Sequence, residues 1–533
     1  MAMADASTIF ALSSGPGKAG VAVIRVSGPA AREALVRMAS PEVLDRRAGL
    51  RRIVHPVTGD VLDHALVLFF AGPRSETGED VAEFQVHGGR AVVRAVLEAL
   101  GNIPGCRLAE PGEFARRAFD NGKLDLVEIE ALADLVDAET EAQRRLALRS
   151  GGVLSTLYEG WRSKLIEIAA LVEAAIDFSD EGDVGAKAFA AGRERATPLL
   201  KEIRAHLDDG HRGEILREGF RVALLGAPNA GKSSLLNALA RRDAAIVSEE
   251  AGTTRDVIEV RLDLSGLPVI VSDTAGIREA KGEVEREGIR RSMSAARNAE
   301  LVLWLYEPGG DATPPSTISR ETLLLVETKA DLMPHPTSPT AHATPLPSTG
   351  RGRGWGEQPG GPPEATRSCR SPTPTLSARG EGEVFSSPLG EKMPARRGGA
   401  NEGGRMRGQL SSLDDQNDRS PTPTLSPGGE GAQSSISTQT GAGIEALIRL
   451  IATRAGEAVG TNGDQLVITQ VRHRQHLEGA SRSMERFLAG DPDAVELRAE
   501  DVRQAAHALG RITGRVDVED VLDQIFSRFC IGK

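Results

Sequence analysis

The chain has 533 residues and a net charge of −11; it is too long for one hydrophobic core, and its length alone predicts roughly three or four domains. The acidic balance excludes nucleic-acid binding through overall basicity and leaves only a local basic face for it. Three widely spaced cysteines, Cys106, Cys369 and Cys530, exclude a disulfide framework and a cysteine-rich metal site, and they fit a reducing cytoplasm.

In chain order, "MAMADASTIFALSS" has no basic stretch followed by a long apolar one, and no apolar run approaches the ~18 residues of a membrane span. Residues 1–120 mix strand-like runs, "GVAVIRVSG", "HALVLFFAG" and "DVAEFQVHGG", with the helical "RAVVRAVLEAL", which predicts a small α/β domain. In 121–216, Leu154, Leu157, Trp161, Leu165, Ile168, Val172 and Ile176 recur at three- and four-residue intervals and predict one buried helix face. A third block, 217–455, alternates strands ("FRVALLG", "LPVIVSD", "ELVLWLY", "TLLLVE") with helices and predicts a parallel, doubly wound sheet. Within it, residues 334–433 turn to Pro, Gly, Ser, Thr and Arg, a composition that cannot offset its ordering entropy and predicts a disordered surface insertion. "SPTPTLS" occurs there twice, too few copies for a solenoid. Residues 456–533 are helical again, with Val518, Val521, Leu522, Ile525 and Phe529 on one face, and they are placed to pack with 121–216. The chain closes on "CIGK". Its cysteine stands where a C-a-a-X box has one, but Gly532 and Lys533 fit that box badly; a thiol in a site and a small apolar residue closing a helix are the other readings.

The strongest chemical signal is "GAPNAGKS", Gly226 to Ser233, between a strand and a helix. In that setting backbone N–H groups cradle phosphates, Lys232 reaches the β- and γ-phosphates and Ser233 supplies a Mg²⁺ ligand. "DTAG" follows, with Asp273 to hold Mg²⁺ through water and Gly276 to move toward the γ-phosphate, while Thr254 in "GTTRD" offers a second Mg²⁺ ligand. Base recognition is expected from "TKAD" and "STQTG": the Asp331 carboxylate suits the N1–H and amine of guanine, and the Lys329 stem packs on the ring. Thr328 stands where such motifs usually have Asn; it keeps a hydroxyl and loses an amide. The insertion falls between these two loops, at a closure cost that grows only logarithmically with length. Ile277 occupies the position where a water-orienting Gln follows the D-x-x-G motif in Ras-like enzymes, so hydrolysis requires a substitute elsewhere or the chain is a slow switch.

These motifs, together with "TIFALSSGPGKAGVAVIRVSGP", "TGEDVAEFQVHGG", "EPGEFARRAFDNGKLDLVEIEALADLVDAET", "VEREGI" and the terminal "CIGK", resemble in combination and order the tRNA-modifying GTPase family MnmE, also called TrmE. The resemblance covers nearly everything outside the insertion. It implies a fold of α/β plus all-α class: an amino-terminal α/β folate-binding and dimerisation domain (1–120), a discontinuous helical domain (121–216 and 456–533), and an inserted Ras-like doubly wound P-loop G domain (217–455) with the long disordered insertion.

The resemblance further implies GTP contacts along the phosphate loop (Asn229, Ala230, Gly231, Lys232, Ser233, Ser234) and the switch loop (Ser248, Glu249, Glu250, Ala251, Gly252, Thr253, Thr254). The same holds for the D-x-x-G motif (Asp273, Thr274, Ala275, Gly276) and the base loops (Thr328, Lys329, Asp331, Ser437). In this family K⁺ does the work of an arginine finger; its ligands map onto the Asn229 side chain and onto Ser248, Glu250 and Thr253, and the water-orienting acid maps onto Glu285. The family's 5-formyl- or 5,10-methylene-tetrahydrofolate site maps onto Arg25, Glu83, Lys123 and Lys533, which places Cys530 beside a folate. The implied activity is a K⁺-dependent GTP hydrolase, a homodimer that works with the flavin-dependent MnmG on C5 of the wobble uridine of certain tRNAs. Two other readings stay open: an RNA-binding ribosome-assembly switch without modifying activity, and a degenerate G domain on a folate-binding scaffold.

Overall fold

The structure is a computed structural model that describes residues 7–41, 44–178, 183–242, 244–246, 258–273, 294–310, 312–332, 433–460, 466–516, 522, 525–527, 529 and 531–532. The expected insertion lies outside the described residues except for Gln433, which opens a strand.

The first sheet is built by β1 (Thr8–Leu12), β2 (Ala19–Ser27), β3 (Gly49–Val54), β4 (Val61–Phe70), β5 (Val81–Gly88) and β6 (Cys106–Leu108), in the order β3-β4-β5-β2-β1-β6. Helices α1 (Ala31–Met38) and α2 (Arg90–Gly101) cover one face, where Phe10, Ile24, Val26, Leu35, Val67, Phe84 and Leu100 form the core. The period-2 pattern of β2 and β5 fixes this, because successive side chains alternate between faces. Ile9 and Ala11 point to the other face and pack with Phe114 of α3 (Glu113–Asp120).

A helical layer follows. Asp125 and Glu128 form a capping box that starts α4 (Leu126–Val136), and Thr140 with Gln143 forms a second that starts α5 (Glu141–Asp177). Helices α6 (Asp183–Leu207) and α7 (Arg212–Glu218) come next. The stripe on α5 is buried: Leu154, Trp161, Leu165, Ile168 and Val172 join one core, with Leu157 and Ile176 packed against it. That core is completed from more than 250 positions away in the chain, as Leu477 and Phe487 of one late helix and Val502 and Leu509 of the next belong to the same cluster.

The second sheet comprises β7 (Phe220–Gly226), β8 (Ala245–Ile246), β9 (Ile258–Leu264), β10 (Leu267–Asp273), β11 (Leu301–Tyr306), β12 (Leu323–Glu327) and β13 (Gln433–Ser435), in the order β13-β12-β11-β7-β10-β9-β8. Helix α8 (Lys232–Ala240) follows β7 and α9 (Ile444–Val459) follows β13. Five strands run parallel, as expected. β9 and β8 do not: each pairs antiparallel. The two residues joining β9 to β10, Ser265 and Gly266, have φ of 60° and 85°, the geometry of a two-residue hairpin, and a connection that short closes only antiparallel strands.

The remaining helices, α10 (Val471–Ala489) and α11 (Val495–Thr513), close the helical core. Ion pairs tie it to α7, which leads into the second sheet. Arg474 on α10 donates to Asp209 at 2.6 Å and to Glu214 on α7 at 2.9 Å, and Arg217 on α7 donates to Asp134 on α4 at 2.7 Å. Since α7 runs directly into β7, these bonds set where the phosphate loop begins. Of the expected final helix face, Val518 and Val521 lie outside the described residues. Leu522, Ile525 and Phe529 pack on Ala115, Leu126 and Ile129, and Ile531 bridges to Pro111. Among the described residues no helix is long and apolar enough to cross a membrane.

Candidate functional sites

The phosphate loop leaves β7 at Gly226, whose φ is 142° and whose added Cβ would stand 2.1 Å from the Leu305 carbonyl oxygen; only glycine fits there. Asn229 follows at φ 65° on the exposed crest, a conformation that Asn tolerates better than most residues. Gly231 ends the loop as the N-cap of α8, at φ 88°. The buried Lys232 ammonium donates to the carbonyls of Gly226 at 3.0 Å and Ala227 at 2.8 Å. Burial lowers its pKa, and Asp273 opposes that shift.

Ser233, the next residue, donates its hydroxyl to Asp273 at 2.6 Å, and Asp273 is 1% exposed at the end of β10. A hydroxyl and a buried carboxylate are hard oxygen donors, so this pair fits Mg²⁺. Among the described residues no group of three or more His, Cys, Asp or Glu is arranged to hold a metal. Ala230 and Ser234 flank these groups in the same loop and helix.

The two loops expected to read the base meet. Ala330 N–H donates to Ile436 O at 3.0 Å, Ile436 N–H to Glu327 O at 2.8 Å, and Ser437 Oγ to Asp331 Oδ1 at 2.5 Å. Their strands pair in parallel from Leu325 with Gln433 to Glu327 with Ser435. Lys329, at φ 56°, forms an ion pair with Glu307. Thr328 is 2% exposed, and its hydroxyl reaches Ala230 O at 2.9 Å and Tyr306 O at 3.1 Å. It therefore fastens the base loop to the phosphate loop, a role invisible in the sequence comparison of Thr with Asn.

On the first sheet Arg25 and Glu83 are directly opposed on β2 and β5. Arg25 donates to Glu83 at 3.2 Å through both Nε and Nη2, and forms a 2.8 Å ion pair with Glu76. Both side chains are half-buried. Lys123 comes to the same loop, since a Cβ on Gly78 would be 3.4 Å from its Cε. A guanidinium, a carboxylate and an ammonium so placed fit a ligand that has both donors and acidic groups, which suits a folate.

Below them lies a network that sequence reasoning missed: Ser27 donates to Glu79 at 2.7 Å, Arg117 to Glu79 at 3.1 Å and to Glu113 at 3.0 Å. The i, i+4 spacing of Glu113 and Arg117 on α3 was the available signal. The carboxyl end approaches the same sheet, as a Cβ on Gly532 would stand 2.2 Å from the Leu12 carbonyl oxygen.

Ser248, Glu249, Glu250, Ala251, Gly252, Thr253, Thr254, Thr274, Ala275, Gly276, Glu285, Cys530 and Lys533 lie outside the described residues.

Two family models match the chain: the one described as MnmE helical domain over residues 126–530, and the one described as GTP-binding protein TrmE N-terminus over residues 8–123. The protein named tRNA modification GTPase MnmE from Parvibaculum lavamentivorans is 44% identical over 535 residues, covering 99% of this chain and 100% of that protein. Its namesake from Mesorhizobium japonicum is 44% identical over 532 residues, 100% of each. That from Methylorubrum populi is 45% identical over 533 residues, 99% of this chain and 98% of its own.

Proposed function

The chain belongs to the MnmE (TrmE) family of tRNA modification GTPases, and from that premise, on which it is a GTP hydrolase involved in tRNA modification, we propose how its own residues perform the work. The observation that carries the reading is that four separate segments are joined by hydrogen bonds: the phosphate loop to the buried Asp273 through Ser233, to the first base loop through Thr328 and Ala230, and the two base loops through Ser437 and Asp331.

In this reading Lys232 swings from its loop carbonyls to the β- and γ-phosphates, and backbone N–H groups from Asn229 to Ser234 hold the rest of the phosphate chain. Ser233, Thr254 and, through water, Asp273 would hold Mg²⁺, which would draw charge from the phosphates. Asp331 accepts from guanine, Ser437 orients that carboxylate, and Lys329 covers the ring. Asn229, Ser248, Glu250 and Thr253 would hold K⁺, which would supply the positive charge an arginine otherwise brings. Glu285 orients the attacking water. Glu249, Ala251, Gly252, Thr274, Ala275 and Gly276 line the γ-phosphate as switch segments.

The first sheet takes the one-carbon carrier. Glu83 accepts from the pterin's donors, and Arg25, Lys123 and Lys533 meet its carbonyl and acidic tail. The family resemblance assigns Cys530 to that pocket, where its thiol would shape it. On this division residues 1–120 bind folate and a second copy of the chain, 121–216 with 456–533 form the helical frame, and 217–455 form the G domain. The homodimer acts in the cytoplasm with MnmG to place an aminomethyl or carboxymethylaminomethyl group at C5 of uridine 34 in certain tRNAs. Hydrolysis moves the G domains and does not itself touch the uridine.

The test is nucleoside mass spectrometry of tRNA from a strain deleted for this gene and complemented with wild type or with Lys232→Ala. Loss of the modified uridine, restored only by wild type, is the expected result. Unchanged tRNA in the deletion strain would leave the assembly-switch reading in its place.

A further inference from the structure

β1 serves two faces of the first sheet. Ala11 pairs with Arg25 across the β1–β2 ladder and packs toward Phe114, so the Arg25–Glu83 pair belongs to the α3 side. Phe10 and Leu12 point the opposite way. With Val93 and Leu97 of α2 they wall a cavity of about 790 Å³ between α2 and the β1–β6 edge. That volume lies within the roughly 300–1,000 Å³ of small-molecule sites, and a mostly apolar wall with a few polar groups is their usual composition.

Arg90 and Arg94 stand on this cavity, one turn apart in the N-terminal half of α2, both exposed. Among the described residues neither forms an ion pair, although Glu98 lies one turn further along the same helix and also lines the cavity. Arg107, also on the cavity, is held by Glu113 at 2.6 Å. Two cations at i, i+4 repel, and they sit at the positive end of the helix dipole with no acidic residue in the first turn. Helix stability does not account for them, whereas an anion between them does.

We propose that this cavity binds a small organic acid, its apolar body against Phe10, Leu12, Val93 and Leu97 and its acidic group between Arg90 and Arg94. Among the described residues, Arg25 and Glu83 lie on the opposite face of the sheet, and neither they nor Lys123 line the cavity. Cys106 lines it and reports on its occupancy.

The experiment uses full-length protein and anilinonaphthalene sulfonate, with the neutral N-phenylnaphthylamine as the uncharged probe. One saturable sulfonate site per chain is expected, and its filling slows alkylation of Cys106 by N-ethylmaleimide, read by peptide mass. Arg90→Glu with Arg94→Glu weakens the sulfonate at least ~tenfold and leaves the neutral probe and GTP turnover unchanged. Arg90→Gln with Arg94→Gln weakens it less, and serves if the charge reversal does not fold. Equal sulfonate affinity in wild type and both variants overturns the proposal, as does binding that leaves Cys106 alkylation unaltered. A shift from dimer to monomer on sedimentation of Leu97→Trp also overturns it, by assigning the face to a second copy of the chain.

Discussion

In the second sheet Lys232, Asp273 and Asp331 stand at or just beyond the carboxyl ends of β7, β10 and β12, whereas in the first sheet Arg25 and Glu83 face each other across the bodies of β2 and β5. A site at strand ends depends on loops and tolerates change between them: residues 332–436 separate Asp331 from Ser437 in the chain, yet the two are hydrogen-bonded. A site on strand faces depends on register, since a one-residue slip would turn Arg25 to the opposite side. The first kind is written in contiguous motifs, and the second only in pairings between distant residues.

Substituting the strongest member of the loop site gives the largest effect. Lys232→Ala lowers GTP turnover at least ~100-fold, because the cation that meets developing phosphate charge is gone; steady-state phosphate release measures it, and folate binding by the first sheet stays unchanged. The converse substitution tests the separation from the other side. Arg25→Ala leaves Glu83 half-buried without its guanidinium, and 5-formyl-tetrahydrofolate affinity falls by about tenfold or more in calorimetry while GTP turnover holds. Equal losses of both activities in either variant would break the comparison.

A finer effect belongs to Thr328. Thr328→Val keeps the shape but removes the hydroxyl that donates to the Ala230 carbonyl, while the Tyr306 carbonyl keeps the residue's backbone N–H at 2.8 Å. Such a loss costs about 1–3 kcal/mol, and GDP affinity, followed with a fluorescent analogue, drops about tenfold.

The smallest effect lies in the helical frame between the sheets. Burial holds His206 at about 4, with Asp209 opposing, and burial with Arg472 and Arg511 holds His476 at about 4. Unfolded histidine titrates near ~6.5, so below that pH the unfolded chain takes up protons that the folded chain refuses. Stability is full above about pH 6.5 and falls as the pH drops toward 4, and melting followed by circular dichroism shifts down by a few degrees between pH 7 and pH 5. Glu130 adds nothing in that window. Burial raises its pKa, but His473 and Arg472 outweigh burial and hold it at about 2, so its contribution is lost only below about 4.5.

The same contrast explains what was legible in the sequence. β2, β4, β5, β7, β10, β11 and the α5 stripe were readable because their periods are long and uninterrupted. β6 and β13, three residues each, carry no period and exist because β1 and β12 offer them a partner. The antiparallel β9 had a signal, Ser265-Gly266 between alternating runs, which the expectation of a wholly parallel sheet overrode. Within the nucleotide site the phosphate loop and Asp273 were plain from motif order, but the bond from Thr328 to Ala230 was not, because it joins residues 98 positions apart. Glu76, Glu79 and Arg117 around Arg25 were missed for that same reason, since their roles come from the fold of the 75–80 loop against α3.

On the proposed reading the chain hydrolyses GTP with K⁺ in place of an arginine, although the insertion interrupts the G domain in sequence and Thr328 replaces the usual Asn. The most direct test is turnover of GTP and of ATP by the purified full-length protein in KCl and in NaCl at equal ionic strength. The account predicts turnover of GTP well above that of ATP and strongly favoured by K⁺. Equally slow GTP hydrolysis in both salts would contradict it and point to a degenerate G domain on a folate-binding scaffold.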